Sequence, residues 1–511
     1  MIKYKIQDRF RIKQSRELDM DVSRRWFIGG AASFGAFGGC RFFRSGSFRA
    51  GGSPVLRFGV ISDIHVIAEN LDDVYEGNTA TLEKTLDWFD AQGADAVLIA
   101  GDMADAGLVS QLRCVADAWN KYFPGNRSLR DGRRVEKLFI YGNHDWEGQN
   151  YSNKIFGRES KNLSPDHIRV NGMKETWEEV FEEDYSPIYM KNVKGYSFIG
   201  QHWDSQGWNA NCKFELLPPF LDKVRGALDP ELPFFYFQHP HPKDTCYGPW
   251  IWGHDTGIVT KALSAYPNAI AFSGHSHAPL TDERSIWQGA FTSVGTASLR
   301  YVSSLHDEHG GRKTAPAVAP GELGKSVPAG MTYKGLSQIS ARHGMLWSVY
   351  DDCITVARRE FLTGLSLGDD WVMPLPVAEP RPFAFSQSAR RFRAPEFVEG
   401  AELKAVRTKT KGKGDNDKEI AIVKVAVPPA KPDEKARCRS YRFEFRGEDG
   451  GKPFIAYGAP EGVSHSLSHK KARVYSFYDF NMGDLPKGKL AISVVPLNCF
   501  GAEGAKLEVS I

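Results

Sequence analysis

Five polar motifs recur along this chain, most of them directly after a short apolar run, and that repetition constrains the fold more than any other feature. They are Asp63-Ile-His65, Gly101-Asp102, Gly142-Asn143-His144-Asp145, Gln238-His239-Pro240 and Gly274-His275-Ser276-His277. Runs of Val, Ile, Leu and Phe such as Val55–Ile61, Asp95–Ala100 and Val135–Tyr141 read as buried strands, so the motifs fall at strand carboxyl ends. Between them, residues 78–92 place Leu82, Leu86 and Phe89 on one helical face, and a second helix is expected over 108–122. Strand, helix, strand, helix, strand predicts right-handed βαβ units and a mainly parallel sheet. Open α/β sheets gather their ligand sites at the carboxyl ends of the strands.

Carboxylate, imidazole and amide groups at five such tips form the donor inventory of a two-metal hydrolytic centre. Such a centre needs one oxygen that bridges two cations, with hard oxygen and imidazole donors on either side. In Asp63-x-His65, alternate residues of an extended segment face the same way. Gly101 removes a side chain so that the backbone brings Asp102 close. Asn143 supplies an amide oxygen, and His144 beside it remains unligated as a proton donor.

In that order, the D-x-H, G-D, G-N-H-D, H and G-H-x-H blocks resemble the calcineurin-like metallophosphoesterase superfamily over residues 55–360. The resemblance implies a four-layer α/β/β/α sandwich, assigned to residues 54–373. It implies that Asp63, His65, Asp102 and His277 hold one divalent ion, and that Asp102 bridges to a second ion completed by Asn143, His239 and His275. His144 would be the general acid or a donor to a phosphoryl oxygen, with Asp145 orienting it. The implied reaction is hydrolysis of a small-molecule phosphomonoester or phosphodiester by a hydroxide that the two ions bridge. The similar purple acid branch carries a Tyr ligand three residues after the Gly-Asp aspartate. Asp105 stands there in this chain, so divalent Mn, Fe, Zn or Mg is expected rather than a tyrosinate on ferric iron.

Substrate contacts are sought in two aromatic stretches, one holding His202, Trp203 and Trp208 after a strand at Tyr196–His202, the other holding Trp250 and Trp252. Rings at a cleft mouth stack a sugar or nucleobase; the competing reading is a loop stapled onto the sandwich by its aromatics. The first stretch lies in a long insert over 146–232, which also carries helical spacing at Trp177, Val180 and Phe181. His241 and His254 are expected behind the ligands rather than among them. Residues 306–337 read as an exposed loop. Met345–Ala357 and Arg358–Phe361 read as closing strands of the second sheet, with Trp371 as the last core residue.

A chain of 511 residues is too long for one core, and two folded domains are expected. Residues 374–395, with five prolines, read as a linker or surface strap. From 396 to 511, short alternating strands at Ile420–Val427, Tyr441–Phe445, Arg473–Phe480 and Leu490–Pro496 predict an all-β sandwich of immunoglobulin or fibronectin III character. The Lys409–Lys418 run reads as a solvated hairpin loop. A rival reading makes this sandwich the working part of a non-catalytic cell-surface binding protein. The charged fraction of 25% and apolar fraction of 41% exclude disorder and a polytopic membrane protein. A net charge of +3 gives no support for nucleic-acid binding.

Residues 1–50 read as an address. Ser23-Arg24-Arg25-Trp26-Phe27-Ile28, followed by an apolar, small-residue stretch to Gly39, fits a twin-arginine export signal and is too short to span a bilayer. The expected partner is the twin-arginine export machinery, and the destination is the periplasm or the cell surface. Phe37-Gly38-Gly39-Cys40 resembles a degenerate lipobox, which makes Cys40 a candidate lipid anchor against ordinary cleavage. Seven cysteines are scattered with no C-x-x-C pair, and in an oxidising compartment Cys212 and Cys246 are a candidate disulfide.

Overall fold

Leu56, Phe58 and Val60 alternate with Arg57, Gly59 and Ile61, and this period of two sends the first strand's side chains to opposite faces. The computed structural model describes residues 52–67, 79–151, 163–204, 213–248, 253–302, 341–377, 381–411, 419–460, 463 and 475–511. The expected export signal with Cys40, the loop over 306–337, and Trp208, Cys212, Trp250 and Trp252 lie outside these residues. In chain order the elements are β1 (Leu56–Ile61), α1 (Ala80–Ala91), β2 (Ala96–Ala100), α2 (Val109–Tyr122), β3 (Glu136–Ile140), α3 (Asn143–Tyr151) and α4 (Met173–Phe181). Next come β4 (Ile188–Val193), β5 (Tyr196–Gln201), α5 (Leu217–Val224), β6 (Phe234–Phe237), α6 (Ile258–Leu263), β7 (Ala269–Ser273), β8 (Ile286–Gln288) and β9 (Thr292–Gly295). Finally β10 (His343–Val349), β11 (Cys353–Glu360), β12 (Trp371–Pro374) and α7 (Phe385–Arg391) lead into the tail.

Two six-stranded sheets result, ordered β12-β11-β10-β1-β2-β3 and β4-β5-β6-β7-β9-β8. The strands β1, β2 and β3 are parallel, as are β5, β6, β7 and β9, so each sheet lines up its motif-bearing carboxyl ends. One apolar cluster joins the facing sides of both sheets, with Phe58, Leu98 and Trp347 from the first and Phe198, Phe235 and Phe272 from the second. The opposite side of the first sheet packs Val97, Ile99 and Phe139 against Leu82, Leu86 and Phe89 of α1 and Trp119 of α2. Gly59 is required there, because any β-carbon would fall on the Phe89 ring. Helices α5 and α6 cover the far side of the second sheet through Leu217, Leu221, Val259 and Leu263.

Phe58 is fully buried and touches Phe198, Phe235, Phe272 and Trp347 at ring-centroid distances of 4.8–6.0 Å. Phe58→Ala is therefore expected to cost about 3–5 kcal/mol, read from denaturant unfolding of the full chain. A cost below about 1 kcal/mol would contradict this packing.

Two sequence expectations change here. The segment after residue 341 breaks at Tyr350–Asp352, not between Ala357 and Arg358, and β10 and β11 join the first sheet rather than the second. The turn is closed by Tyr350 N donating to the Cys353 carbonyl at 2.8 Å, and β10 lies antiparallel against β1 with Phe58 opposite Trp347. Trp371 is also not the last core residue, since Met373 and Phe383 belong to the same cluster. Residues of the expected linker thus include part of β12, the buried Phe383 and helix α7.

The tail forms two antiparallel sheets from β13 (Lys404–Lys411), β14 (Glu419–Val427), β15 (Ser440–Gly447), β16 (Phe454–Gly458), β17 (Ser476–Asn481), β18 (Leu490–Leu497) and β19 (Leu507–Ser510). Their orders are β13-β14-β17 and β16-β15-β18-β19, and Val423, Val425, Phe443, Phe445, Phe480 and Ile492 share one core. Strands β13, β16 and β19 have no counterpart in the sequence reading. Lys409 to Lys411, expected in a loop, continue β13 in register with Ala421 to Glu419. No helix among the described residues is long and apolar enough to cross a membrane.

Candidate metal centre

Beyond the last residue of β1, the chain departs from extended geometry. Asp63 and His65 have φ of 52° and 49°, Asp102 has 54°, and His275 and His277 have 68° and 54°. These are left-handed conformations that non-glycine residues seldom adopt and that concentrate at functional sites. The pairing of Asp63 with His65 on one side therefore comes from two left-handed turns, not from alternation along an extended segment. Backbone bonds hold the turns: Asp63 N donates to Gly101 O (3.0 Å), and both Ile64 N (2.8 Å) and His65 N (3.0 Å) donate to Asp102 O.

The side chains converge in two sets, Asp63–His65–Asp102–His277 and Asp102–His239–His275, all buried, with Asp102 in both. Asp63 Oδ1 lies 3.0 Å from His277 Nε2, and His277 Nε2 lies 3.1 Å from His65 Nε2. Asp102 Oδ2 lies 3.1 Å from His239 Nε2 and 3.6 Å from His65 Nε2. Asn143, from the start of α3, joins the second set through its Oδ1, 2.9 Å from His275 Nδ1.

Proton accounting shows that these residues fit divalent cations. His239 Nδ1 lies 2.8 Å from the Ala100 carbonyl and His277 Nδ1 lies 3.1 Å from the Tyr301 carbonyl. A carbonyl only accepts, so both Nδ1 atoms carry hydrogen, and the Nε2 atoms, where a neutral ring has its lone pair, face the carboxylates. His239 Nε2 is buried with no hydrogen-bond partner. A lone pair beside a carboxylate oxygen in the interior is unfavourable unless a cation lies between them. Without one, burial opposes the charge on His239, yet Asp102 pulls its pKa up to about 9. Burial, with help from His144, lowers His65 to about 4 and keeps its ring neutral.

Glycines make this convergence sterically possible. A β-carbon on Gly101 (φ 90°) would lie 2.6 Å from His239 Nδ1, and one on Gly274 would meet Asp63 Oδ2 and Ser62 Oγ. Gly274→Ala is expected to push the Asp63 carboxylate aside, weakening cation binding and costing about 1–3 kcal/mol of stability. Isothermal titration with Mn or Zn alongside denaturant unfolding checks both; unchanged affinity would refute the steric argument.

Residues 56–279 match the family model for calcineurin-like phosphoesterases. Over that stretch the chain is similar to calcineurin-like phosphoesterases. Similar solved structures include a conserved predicted phosphoesterase from Streptococcus pneumoniae TIGR4, at 13% identity over 62% of this chain and 97% of that one, with a TM-score of 0.27. GAP50 of Plasmodium is 10% identical over 63% and 89% (TM-score 0.34), and purple acid phosphatase PPD1 from yellow lupin is 14% identical over 63% and 54% (TM-score 0.37). No curated protein matches the chain.

Several residues of the two-sheet domain sit differently from the sequence reading. Asp145 does not orient His144. Its buried carboxylate accepts the backbone N–H groups of Ala104 (2.7 Å), Gly142 (2.8 Å) and Met103 (3.3 Å), tying the Asp102 loop to the Asn143 turn. His144 Nδ1 meets the Asp105 carbonyl at 2.8 Å. His202 and Trp203, sought at a cleft mouth, are each only 1% exposed. His202 Nδ1 accepts from Tyr141 N (3.1 Å), its ring sits among Tyr141, Trp177 and Tyr185, and burial lowers it to about 3. Trp203 backs two residues of the second set, with ring centroids 5.9 Å from His275 and 6.1 Å from His239. His241 is buried behind the second set, bonded to Ser273 Oγ (2.7 Å) and Ser276 Oγ (2.6 Å). His254 reaches the Cys246 carbonyl at 3.1 Å, and Cys246 is a buried thiol directed at Ser293 Oγ.

Arg300 and Tyr301 were not found from the sequence. The Arg300 guanidinium pairs with the Asp105 carboxylate, which in turn lies 3.5 Å from His65 Nδ1. Tyr301, 41% exposed, sets its ring 4.3 Å from that of His277. Both follow β9, another parallel strand whose carboxyl end meets the site. The short apolar run before them was the signal.

Proposed function

We propose that the protein is an exported, metal-dependent phosphoric ester hydrolase whose substrate is a small-molecule phosphomonoester or phosphodiester. The observation that carries this is Asp102, whose carboxylate belongs to both donor sets; a shared carboxylate is what a pair of cations needs as a bridge. We assign Asp63, His65, Asp102 and His277 to one ion, and Asp102, Asn143, His239 and His275 to the other. When bound, divalent Mn, Fe, Zn or Mg supplies the Lewis acidity that makes water nucleophilic at neutral pH and offsets charge on phosphoryl oxygens.

The chain's own contribution is positioning and proton transfer. Because His144 Nδ1 faces a carbonyl, it carries hydrogen, and a proton handed to a leaving alkoxide departs from Nε2. The His144 ring stands edge-on to that of His65 at 4.4 Å, at the rim of the donor cluster. Asp105, paired with Arg300, holds a negative charge beside both rings. We read the paired sheets with helices on both outer faces as the four-layer sandwich, and the tail as an immunoglobulin- or fibronectin-like sandwich. The paired arginines at Arg24-Arg25 with the apolar stretch after them support export.

Chelator treatment is expected to abolish hydrolysis of a nitrophenyl phosphate ester, and Mn, Fe, Zn or Mg to restore it. The same cations should raise the unfolding temperature, since a ligand that binds only the native state stabilises it. A metal-loaded protein that hydrolyses neither monoesters nor diesters would end the enzyme reading.

A further inference from the structure

We propose that the tail domain is a positioning element of the metal centre: Arg437 and Arg439 clamp the turn over 280–285 that follows His277, and so hold the His275–His277 loop in its binding geometry. This rests on the reading of His275 and His277 as ligands.

The turn is built around Asp282, which is 1% exposed. Its carboxylate accepts from Arg284 N (3.0 Å), Nε (2.9 Å) and Nη2 (2.6 Å) within the turn, and from Arg439 Nε (3.0 Å) in the tail. Burial alone would drive that carboxyl to take a proton, and the two guanidinium groups outweigh it, holding the group well below the usual carboxylate range. Arg439 is itself anchored by its backbone N–H on the Leu497 carbonyl at 2.7 Å, in β18. Arg437, equally buried, donates to Thr281 O at 2.9 Å and to Leu367 O at 3.2 Å while pairing with Glu434 at 2.8 Å. Gly368 opens room for it, since a β-carbon there would lie 2.8 Å from Arg437 Nη2.

Between the clamp and the ligand there is little slack. Only Ala278, Pro279 and Leu280 separate His277 from Thr281. Ala278 O accepts from Tyr247 Oη (3.1 Å), Pro279 O from Asp282 N (3.0 Å), and Leu280 O from Arg358 Nη1 (2.9 Å); Leu280 N donates to His343 Nδ1 (3.0 Å). His277 is held at φ 54°, a conformation that persists only where its surroundings over-determine it. With Asp282 and Thr281 released, the three linking residues are left with their bonds to Tyr247, Arg358 and His343, and the left-handed turn at His277 loses part of what holds it. Partners bonded directly to metal ligands typically govern affinity by about 10–100-fold, and a clamp a few residues away is expected at the lower end of that range.

The test uses the full-length chain and reads Zn or Mn affinity by competition with a chromogenic chelator. Arg439→Ala and Arg437→Ala are each expected to lose about tenfold or more in affinity. The control is Arg442→Ala, which removes a tail-domain pair with Glu503 away from the turn and should stay within about twofold. Where Arg439→Ala fails to fold, Arg439→Lys keeps the charge, loses the Nε geometry and carries the same expected direction. Folded Arg437 and Arg439 variants with wild-type affinity, or an equal loss in Arg442→Ala, overturn the proposal. A wild-type protein that binds neither ion overturns the reading of the site along with it.

Discussion

Asp102→Asn is expected to deplete the protein of metal and to lower ester turnover by on the order of 10³-fold or more. The substitution keeps the shape of the side chain, and Asn tolerates the left-handed φ of 54° at this position. An amide oxygen can still accept the His144 N–H that Asp102 Oδ1 takes at 2.8 Å. What disappears is one negative charge shared by two donor sets, leaving four buried imidazoles with Asp63 as the one remaining carboxylate of those sets. Cation binding supplies several kcal/mol of charge stabilisation in such reactions, and ~1.4 kcal/mol corresponds to tenfold in rate. Elemental analysis and nitrophenyl ester hydrolysis on one preparation read both effects. Full metal content with near wild-type turnover would remove Asp102 from its bridging position.

His144→Ala separates chemistry from binding. The ring groups with His65 and Asp105 rather than with the two sets that share Asp102, and the Asp105 carboxylate is already engaged by Arg300. Metal content is therefore expected to stay, while turnover of an alkyl phosphate ester falls by about 10²–10⁴-fold, the usual range for a lost general acid. The loss should shrink for a nitrophenyl ester, whose leaving group departs without a proton. Equal losses on both esters, or loss of metal in a folded His144→Ala protein, would assign the residue another task.

Much of the first sheet was legible because Phe58, Leu98 and Leu138 alternate with residues that face helices, and that period survives in the sequence. The closing strands were harder: Tyr350-Asp351-Asp352 interrupts a nearly continuous apolar stretch, and nothing local says which sheet receives it. The grouping of Asp63, His65, Asp102, His239, His275 and His277 could be read from residue types in series. Their left-handed backbone could not, because Asp63 and His65 look the same in sequence whether extended or turned. Adjacency suggested Asp145 as the partner of His144. Three backbone N–H groups claim that carboxylate instead, and such claims leave no trace in a motif. The clamp on Asp282 was equally invisible, since it joins positions separated by 157 residues.

Strand β1, which leads into Asp63 and His65, lies between β2 and β10, with Leu56 opposite Val349. The residues that match the family model end at 279, yet this central strand keeps one bare edge until residues 343–349 emerge from the ribosome. At ~5–20 residues per second, that interval after β1 is made amounts to roughly 15–60 s. Throughout it, the nascent chain exposes an unpaired strand edge of the kind that recruits other chains. A polypeptide released at residue 279 would contain every residue of both donor sets and still lack Trp347 from its core. A chain stopped before residue 349 thus leaves the strand that leads into Asp63 and His65 open along one edge.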